Sequence, residues 1–189
     1  MKMEIVKIAG PLDNNSVIVR DGEKVYAFDP AGRADDWRRR GVAAAFATHA
    51  HFDHISGLAG WDAPWFMNLE DMPAFQWSLA FLPTPIAVMP LDLADAPKLG
   101  DMEIIETPGH SAGGACFYFP SEKVLIAGDT LFYDSVGRTD LPTGDKNALL
   151  KSIELLKNYG FADYTLVIPG HGRTATWGEI KKVNPFVSE

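Results

Sequence analysis

The chain alternates short apolar runs with polar turns, and this pattern predicts a structure built largely on β-strands. The first three runs are separated by Asp13-Asn14-Asn15 and by Asp21-Gly22, which are both turn-forming sequences. The Asp-Gly pair also indicates a tight hairpin between the second and third runs. We therefore predict successive strands at residues 4–9, 16–20 and 24–28.

Four later apolar runs share another feature, because each ends in a polar or glycine-containing turn. The run at 42–47 is apolar throughout, which is typical of a strand buried on both faces. Loops at the carboxyl ends of strands are where α/β proteins build their sites, since the strands hold those loops rigidly. We therefore expect functional side chains in the turns after predicted strands at 42–47, 102–107, 124–127 and 165–168.

The clearest helical pattern covers residues 145–159. Apolar side chains fall on one face at positions i, i+4 and i+7, namely Leu149, Ile153 and Leu156. Asp145 can cap the amino end of this helix. Shorter helices are predicted at 34–40 and at 175–182, the second of them ending before a proline.

The stretch 64–90 combines five prolines with many aromatic and methionine side chains. Its plainest interpretation is a core-packing helix with proline-rich flanks. The alternative is an apolar wall or cap over a functional site, or a contact between subunits.

The composition is that of a globular protein, with 47% hydrophobic and 22% charged residues among 189. A net charge of −8 disfavours nucleic acid or an anionic membrane as partner, because both require a basic surface. The one cysteine, Cys116, excludes an intrachain disulfide, and we interpret it as a small buried apolar side chain. No apolar run is long enough to span a membrane and no signal sequence is evident, so we expect a cytoplasmic protein.

All five histidines lie in positions that suit a metal ion. Three fall within the hexapeptide at 49–54, and the other two each follow a Pro-Gly pair. Imidazole and carboxylate are ligands that divalent ions prefer; zinc is the commonest such ion, and iron or manganese would suit the same ligands. The candidate ligands are His49, His51, Asp53, His54, His110, Asp129 and His171.

The spacing of these seven side chains divides them between two ions. In extended backbone, residues i and i+2 point to the same side, so the first two histidines of the hexapeptide can bind one ion. Asp53 and His54, the last two residues of the hexapeptide, follow a turn of the chain and can face a second ion. The predicted sets are His49, His51 and His110 for the first ion, and Asp53, His54 and His171 for the second. Asp129 has two carboxylate oxygens and is predicted to bridge the ions.

Two such ions, about 3.5–4 Å apart, would lower the pKa of a bridging water so that hydroxide forms near neutral pH. The absence of cysteine from the set favours an open catalytic centre over a closed structural zinc site. We therefore predict a hydrolase in which Asp53, His54 and Asp129 serve catalysis as well as metal binding. Asp29, at a strand end, is either an acceptor that orients a ligand histidine or a turn residue before proline.

Four motifs make this sequence resemble the metallo-β-lactamase superfamily. Residues 48–54, Thr-His-Ala-His-Phe-Asp-His, match its metal signature, and the later motifs follow in the family's order at 108–113, 128–132 and 169–172. The resemblance covers nearly the whole chain. It implies a four-layer αββα sandwich of the α/β (α+β) class, with two mixed sheets face to face, helices outside and the metals at one edge.

Within the superfamily the sequence is most similar to the glyoxalase II-like hydrolases. Residues 135–142 resemble the loop that follows their bridging aspartate, and 174–186 resemble the ending of the short, single-domain branch. The likeness implies one domain over residues 1–189, without the C-terminal helical domain that supplies glutathione contacts in full-length glyoxalase II.

This resemblance also implies a substrate, a small-molecule thioester such as a glutathione conjugate, hydrolysed by a metal-bridging hydroxide. Arg138 lies where full-length glyoxalase II has a basic residue that contacts glutathione. A structural ion pair with Asp140 is an equal interpretation of this arginine.

Other activities occur on the same fold. Persulfide dioxygenases resemble the chain at residues 137–140 and use one iron held by two histidines and an aspartate. Hydrolysis of a lactone or another ester, and metal or partner binding without catalysis, are further alternatives. True β-lactamases of this fold usually lack a histidine at the place of His54 and an aspartate at that of Asp129, which disfavours their activity here.

Overall fold

The computed structural model describes residues 1–8 and 12–188, and its first β-sheet contains six strands in chain order. β1, β2 and β3 pair antiparallel, whereas β3 to β6 pair parallel, so the sheet is mixed. These strands are β1 (Lys2–Ile8), β2 (Asn14–Asp21), β3 (Lys24–Phe28), β4 (Ala44–Phe46), β5 (Trp65–Met67) and β6 (Leu91–Asp92).

The second sheet contains five strands in the order β11-β10-β9-β8-β7. β7, β8 and β9 form an antiparallel meander, β10 pairs parallel to β9, and β11 pairs antiparallel to β10. These strands are β7 (Glu103–Glu106), β8 (Ala115–Phe119), β9 (Val124–Gly128), β10 (Leu166–Pro169) and β11 (Ala175–Thr176). Five α-helices in the described residues accompany the sheets, α1 (Ala34–Arg38), α2 (Phe52–Ile55), α3 (Met72–Ser78), α4 (Lys146–Lys157) and α5 (Trp177–Val183).

The main core lies between the two sheets and is rich in phenylalanine. The rings of Phe28 and Phe46 stack 4.8 Å apart in the first sheet, and both meet the edge of Phe117 from the second sheet. Residues i and i+2 of a strand point to one face, so Val17 and Val19 of β2 enter this core.

The outer faces of both sheets are buried by helices. Ile18, between the two inward valines, packs with Trp37 of α1 and Phe75 of α3. On the second sheet, Leu125 packs with the apolar face of α4, which carries Leu149, Ile153 and Leu156. Strands buried on both faces account for the apolar runs in the sequence. The four-layer αββα sandwich with two mixed sheets is therefore confirmed.

Most predicted elements form at or near their predicted positions. β3 has the predicted bounds, and the predicted helix at 145–159 forms as α4 over Lys146–Lys157. The Asp145 side chain accepts hydrogen bonds from the backbone N–H groups of Asn147 and Ala148, as expected for its cap. Cys116 is fully buried in β8, and burial raises the pKa of its thiol to about 11.

Several predicted boundaries were wrong by two residues, including the starts of β1 and β4. Asn14 and Asn15, which we assigned to a turn, belong to β2, and the helix predicted at 34–40 ends at Arg38. The helix predicted at 175–182 begins at Trp177, because Thr176 and Glu179 form a capping box there while 175–176 pair as β11. Ala9, the end of the first predicted strand, lies outside the described residues.

The segment 64–90 is divided rather than helical throughout. After β5, the single residue Asn68 leads into a 3-10 turn over Leu69–Asp71. α3 follows directly, and a second 3-10 turn covers Leu79–Phe81. Ala74 and Phe75 of α3 enter the core, which confirms a core-packing helix for part of the segment.

No helix within residues 1–8 and 12–188 is long and apolar enough to cross a membrane.

Candidate metal centre

The turns that follow β4, β7, β9 and β10 meet at one edge of the sandwich. Backbone hydrogen bonds connect them: Ala115 N–H donates to the Thr48 carbonyl across the two sheets, and Gly170 N–H donates to the Gly128 carbonyl, both at 2.8 Å. Each of the seven predicted ligands stands in one of these turns or in α2 directly after the first of them. The strands therefore bring together side chains that are up to 122 positions apart in the chain (His49 to His171).

Three buried histidines form the first group of candidate ligands. One ring nitrogen from each of His49, His51 and His110 lies within 4.8 Å of the others. His51 Nδ1 is 2.9 Å from His110 Nε2, and their rings are perpendicular. This spacing suits three imidazoles that share one cation.

The second group contains Asp53, His54 and His171, again with ligand atoms within 4.8 Å of one another. His171 Nε2 lies 3.1 Å from Asp53 Oδ2 and 3.2 Å from His54 Nε2. His54 is fully buried, whereas the side chain of His171 is 22% exposed. This half of the centre is therefore the one that reaches solvent.

The carboxylate of Asp129 lies between the two groups. Its Oδ1 is 3.3 Å from His54 Nε2, and its Oδ2 is 3.5 Å from the Nε2 atoms of both His110 and His171. One carboxylate oxygen of Asp129 and one ring nitrogen each of His49 and His54 also lie within 4.8 Å of one another. A bridging carboxylate requires this position, with one oxygen within reach of each histidine group.

Hydrogen bonds fix the orientation of three of the histidine rings. Nδ1–H of His110 donates to the Arg138 carbonyl at 2.8 Å, and Nδ1–H of His171 donates to the Leu12 carbonyl at 2.6 Å. His49 Nδ1 lies 3.1 Å from the hydroxyl oxygen of Thr48, which can accept its proton. In the neutral form of each ring, a proton on Nδ1 leaves the lone pair on Nε2, as a metal ligand requires.

Asp29 supports the hexapeptide from the first sheet. Its carboxylate accepts hydrogen bonds from the backbone N–H and the hydroxyl of Thr48, both at 2.7 Å. Its Oδ2 lies 3.1 Å from His54 Nδ1, although the pair is not aligned as a hydrogen bond. Asp29 thus accepts hydrogen bonds from Thr48 and lies close to a candidate ligand histidine, and its role in orienting that histidine stays a prediction.

The chemistry of these residues fits a pair of divalent cations. Unprotonated nitrogens cannot face each other at 2.9 and 3.2 Å unless a proton or a metal ion lies between them. The buried Nε2 atoms of His49 and His51 and Oδ1 of Asp129 have no hydrogen-bond partner among the described residues. A side chain at Gly170 would collide with Asp129 Oδ1 and His54, so glycine keeps the space between them open.

The two halves of the centre differ in their electrostatics. Burial, together with neighbouring histidines, lowers the pKa of His51 to about 4. Burial would also lower the pKa of His171, but hydrogen bonds to Asp129 and Asp53 raise it to about 9. Burial acts in the opposite direction on Asp129, yet His54 and His171 hold the pKa of its carboxyl well below the ordinary value. The half that contains the carboxylates therefore attracts positive charge.

Arg138 contacts the centre through its backbone rather than its side chain. Its carbonyl accepts the His110 hydrogen bond, while its guanidinium forms a two-pronged ion pair with Asp140 at 2.6 and 2.7 Å. Both charged side chains are more than 60% exposed. The ion pair that we considered for Arg138 is thus present, and its contact with substrate stays a prediction.

Two supporting residues were missed at the sequence level. Asn14 donates a hydrogen bond from Nδ2 to Asp53 Oδ2 at 3.2 Å, although its neighbours suggested only a turn. Asp71 is fully buried and accepts hydrogen bonds from Ala50 N–H, Ser111 Oγ–H and Gly113 N–H, at 2.7, 3.0 and 2.7 Å. It joins the hexapeptide to the turn that carries His110, and no local pattern distinguishes it from a surface acid.

Comparisons with known proteins agree with this geometry. The chain is 30% identical over its full length to hydroxyacylglutathione hydrolase GloC of Haemophilus influenzae, of which it covers 99%. The crystal structure of TTHA1623 in a di-iron-bound form has a TM-score of 0.82 and 32% identity, covering 97% of this chain and 99% of that one. The crystal structure of BLEG-1 B3 metallo-beta-lactamase has a TM-score of 0.79 and 31% identity, with both chains fully covered.

A family model matches most of the chain. Its description is the metallo-beta-lactamase superfamily, and the match extends over residues 9–171 and so ends at the last candidate ligand. The two mixed sheets with flanking helices agree with the structural similarity to the two solved structures. The chain therefore belongs to the metallo-beta-lactamase superfamily.

Proposed function

We propose that this protein is a metal-dependent hydrolase that uses two divalent ions to cleave thioesters of the hydroxyacylglutathione type. The observation that carries the proposal is the gathering of five histidines and two aspartates into two ligand groups joined by Asp129. Full-length similarity to a protein named hydroxyacylglutathione hydrolase supports the choice of thioester. Zinc suits these nitrogen and oxygen ligands, and so do iron and manganese.

Two cations held by these residues would supply an activated water and a Lewis acid for the thioester carbonyl. The protein's own contribution is to hold the ligands in register and to keep Asp53 and Asp129 ionised. The water oxygen adds to the carbonyl carbon and loses one proton to solvent, the carbon–sulfur bond breaks, and its electron pair leaves on sulfur. The products are a carboxylic acid and a thiolate. Because thiols have pKa values near 8.5, the thiolate leaves readily and no strong general acid is required. We assign no nucleophilic side chain to the reaction.

Metal content together with a substrate panel tests this proposal. We expect about two ions per chain, and hydrolysis of S-lactoylglutathione that is lost on chelation and restored by zinc, iron or manganese. Metal is measured by mass spectrometry of the purified protein and turnover by release of free thiol. One iron per chain with oxygen uptake on glutathione persulfide would instead identify the dioxygenase activity. Two bound ions with no cleavage of any thioester or lactone would refute the proposal.

β-Lactam hydrolysis is a second candidate, because the BLEG-1 enzyme matches this chain over its whole length. Asp129 lies between the ligand groups and His54 is fully buried beside it. Both residues favour the thioester instead, because β-lactamases of this fold usually lack a histidine and an aspartate at these two places. We expect a chromogenic cephalosporin to be hydrolysed at least about 100-fold more slowly than the thioester in kcat/KM. Equal values of kcat/KM for the cephalosporin and the thioester would contradict the preference for thioester hydrolysis over β-lactam hydrolysis.

The Arg138 side chain provides a test of the thiol carrier. If the arginine binds a glutathione carboxylate, Arg138→Ala should raise KM for S-lactoylglutathione about fivefold and leave kcat unchanged, since exposed charge pairs contribute little energy. KM for the same acyl group on N-acetylcysteamine, which has no carboxylate, should not change. Arg173→Ala, which removes an exposed arginine that lies over Tyr133, is the matched control. An unchanged KM in Arg138→Ala would assign the guanidinium to its ion pair alone.

A further inference from the structure

Three aromatic side chains form a continuous surface that begins at a metal-ligand candidate. The Trp77 ring lies 5.9 Å from the ring of His51 and 4.6 Å from Phe81, and Phe81 lies 5.4 Å from Phe52. We call Phe52, Trp77 and Phe81 the aromatic wall. Phe52 stands between His51 and Asp53 in sequence, so the wall is attached directly to the loop that forms the centre.

The core does not account for these three side chains. Ala74 and Phe75 of α3 are buried in the cluster beneath the first sheet, whereas no member of the wall belongs to a buried cluster in the described residues. Phe52 and Trp77 are partly buried, and Phe81 is 51% exposed. α3 therefore packs one face on the core and directs Trp77 to the edge of the sandwich that holds the metal centre.

The segment that carries Trp77 and Phe81 contains no charged side chain. Residues 72–91 contain no Asp, Glu, Lys or Arg, although 22% of the chain is charged. Contiguous apolar surface beside a polar centre is the usual composition of a small-molecule site, with the apolar part supplying affinity and the polar part orientation.

We propose that the aromatic wall binds the apolar end of the substrate's acyl group, so that among acyl and hydroxyacyl thioesters the enzyme prefers those with a medium-length chain or an aryl ring over the short lactoyl group. This inference rests on the proposed thioester hydrolysis and specifies its acyl specificity. A chain of several carbons or a ring, attached to a carbonyl at the metal centre, would extend past His51 onto Trp77 and Phe81. A two-carbon acyl group would not reach Phe81.

Thioesters of N-acetylcysteamine test the wall without interference from glutathione contacts. For the wild type, we expect kcat/KM to be about tenfold higher with hexanoyl or phenylacetyl than with acetyl, because burying each methylene is favourable. Trp77→Ala and Phe81→Ala should bring this ratio to within about twofold of unity. Phe81→Ala is the safer variant for folding, since that ring is already half exposed. Tyr164→Ala, which removes another exposed aromatic ring (68% exposed), should keep the wild-type ratio.

Several results would overturn the assignment. The wild type could show no preference among the three acyl groups, or Phe81→Ala could keep the full preference. A wall that joins two copies of the chain would be revealed if Phe81→Ala converted a dimer to a monomer on size-exclusion chromatography and left the ratio unchanged.

A binding measurement separates failure of this inference from failure of the proposed function. The probe is a non-hydrolysable thioether of N-acetylcysteamine that carries a phenylacetylmethyl group, and binding is measured by calorimetry. We expect affinity to fall about fivefold in Phe81→Ala and to stay constant in Tyr164→Ala. Binding that depends on Phe81 without hydrolysis of any thioester would contradict the reaction but not the apolar site, whereas hydrolysis with equal probe affinities would contradict the site alone.

Discussion

Replacing Asp129 with alanine is expected to remove at least one metal ion per chain and to lower kcat/KM for the thioester by more than about 100-fold. Mutations of residues that merely support a ligand typically weaken metal binding 10- to 100-fold, and the loss of a ligand should exceed that range. Asp129 is the carboxylate that lies within 3.5 Å of histidines from both groups, so its removal affects both ions. The alanine would also remove one of the two carboxylates that His54 and His171 share, and would leave them with Asp53.

Metal content by mass spectrometry and thioester hydrolysis at saturating added zinc are the two measurements. Asp134→Ala, which removes an exposed carboxylate five residues further along the same turn, should retain the metal and the activity of the wild type. Asp129→Ala protein that kept two ions and full turnover would show that the bridge is not required. In that case the division of the seven ligands between two ions would also be wrong.

Asp71→Ala is expected to lower the free energy of unfolding by about 2–4 kcal/mol, because three buried donors would lose their acceptor. Burial raises the pKa of Asp71 above its ordinary value, although the hydrogen bonds from the three donors act in the opposite direction. One of the donors, Ala50 N–H, lies between His49 and His51. Two others belong to the turn just after His110.

The same substitution should weaken metal binding by the three-histidine group about 10- to 100-fold. Urea unfolding measures the stability, and titration against a competing chelator measures the affinity of each ion separately. We expect the ion held by Asp53, His54 and His171 to be less affected, since Asp71 does not contact that group. Asp101→Ala is the matched control, because Asp101 accepts two bonds from Ser121 at an exposed position and its loss should change stability by less than about 0.5 kcal/mol. Asp71 would be an ordinary structural acid if stability fell and both metal affinities stayed at the wild-type values.

Local sequence determined most of the elements, because their signals need no knowledge of the rest of the chain. The i, i+4, i+7 spacing and the capping aspartate fix α4 within three residues of its predicted start and end. The uniformly apolar run at 42–47 contains β4, which is buried and paired on both sides. β5, β6 and β11 were not assigned, since each has only two or three residues and depends on a neighbouring strand for its hydrogen bonds.

The ligand set could be named from the sequence because metal coordination limits the choice to a few residue types. Every histidine of the chain was a candidate, and the tertiary structure gathers all five with Asp53 and Asp129. The family resemblance supplied the sandwich and the single edge at which the ligands meet. Sequence could not supply the ring orientations, which depend on carbonyl groups of Leu12 and Arg138 that are distant along the chain.

The sequence by itself determined which side chains are chemically able to bind metal, and which runs of residues are apolar enough to form strands. Only the tertiary structure decided that Asp71 joins two ligand turns, that the Arg138 carbonyl accepts a hydrogen bond from His110, and that Trp77 lies against His51. The physical reason is the range of the interactions involved. Helix periodicity, caps and turns are contacts between near neighbours in the chain. The support of the metal centre and the wall beside it arise from contacts between residues that are far apart in the chain, which local patterns do not encode.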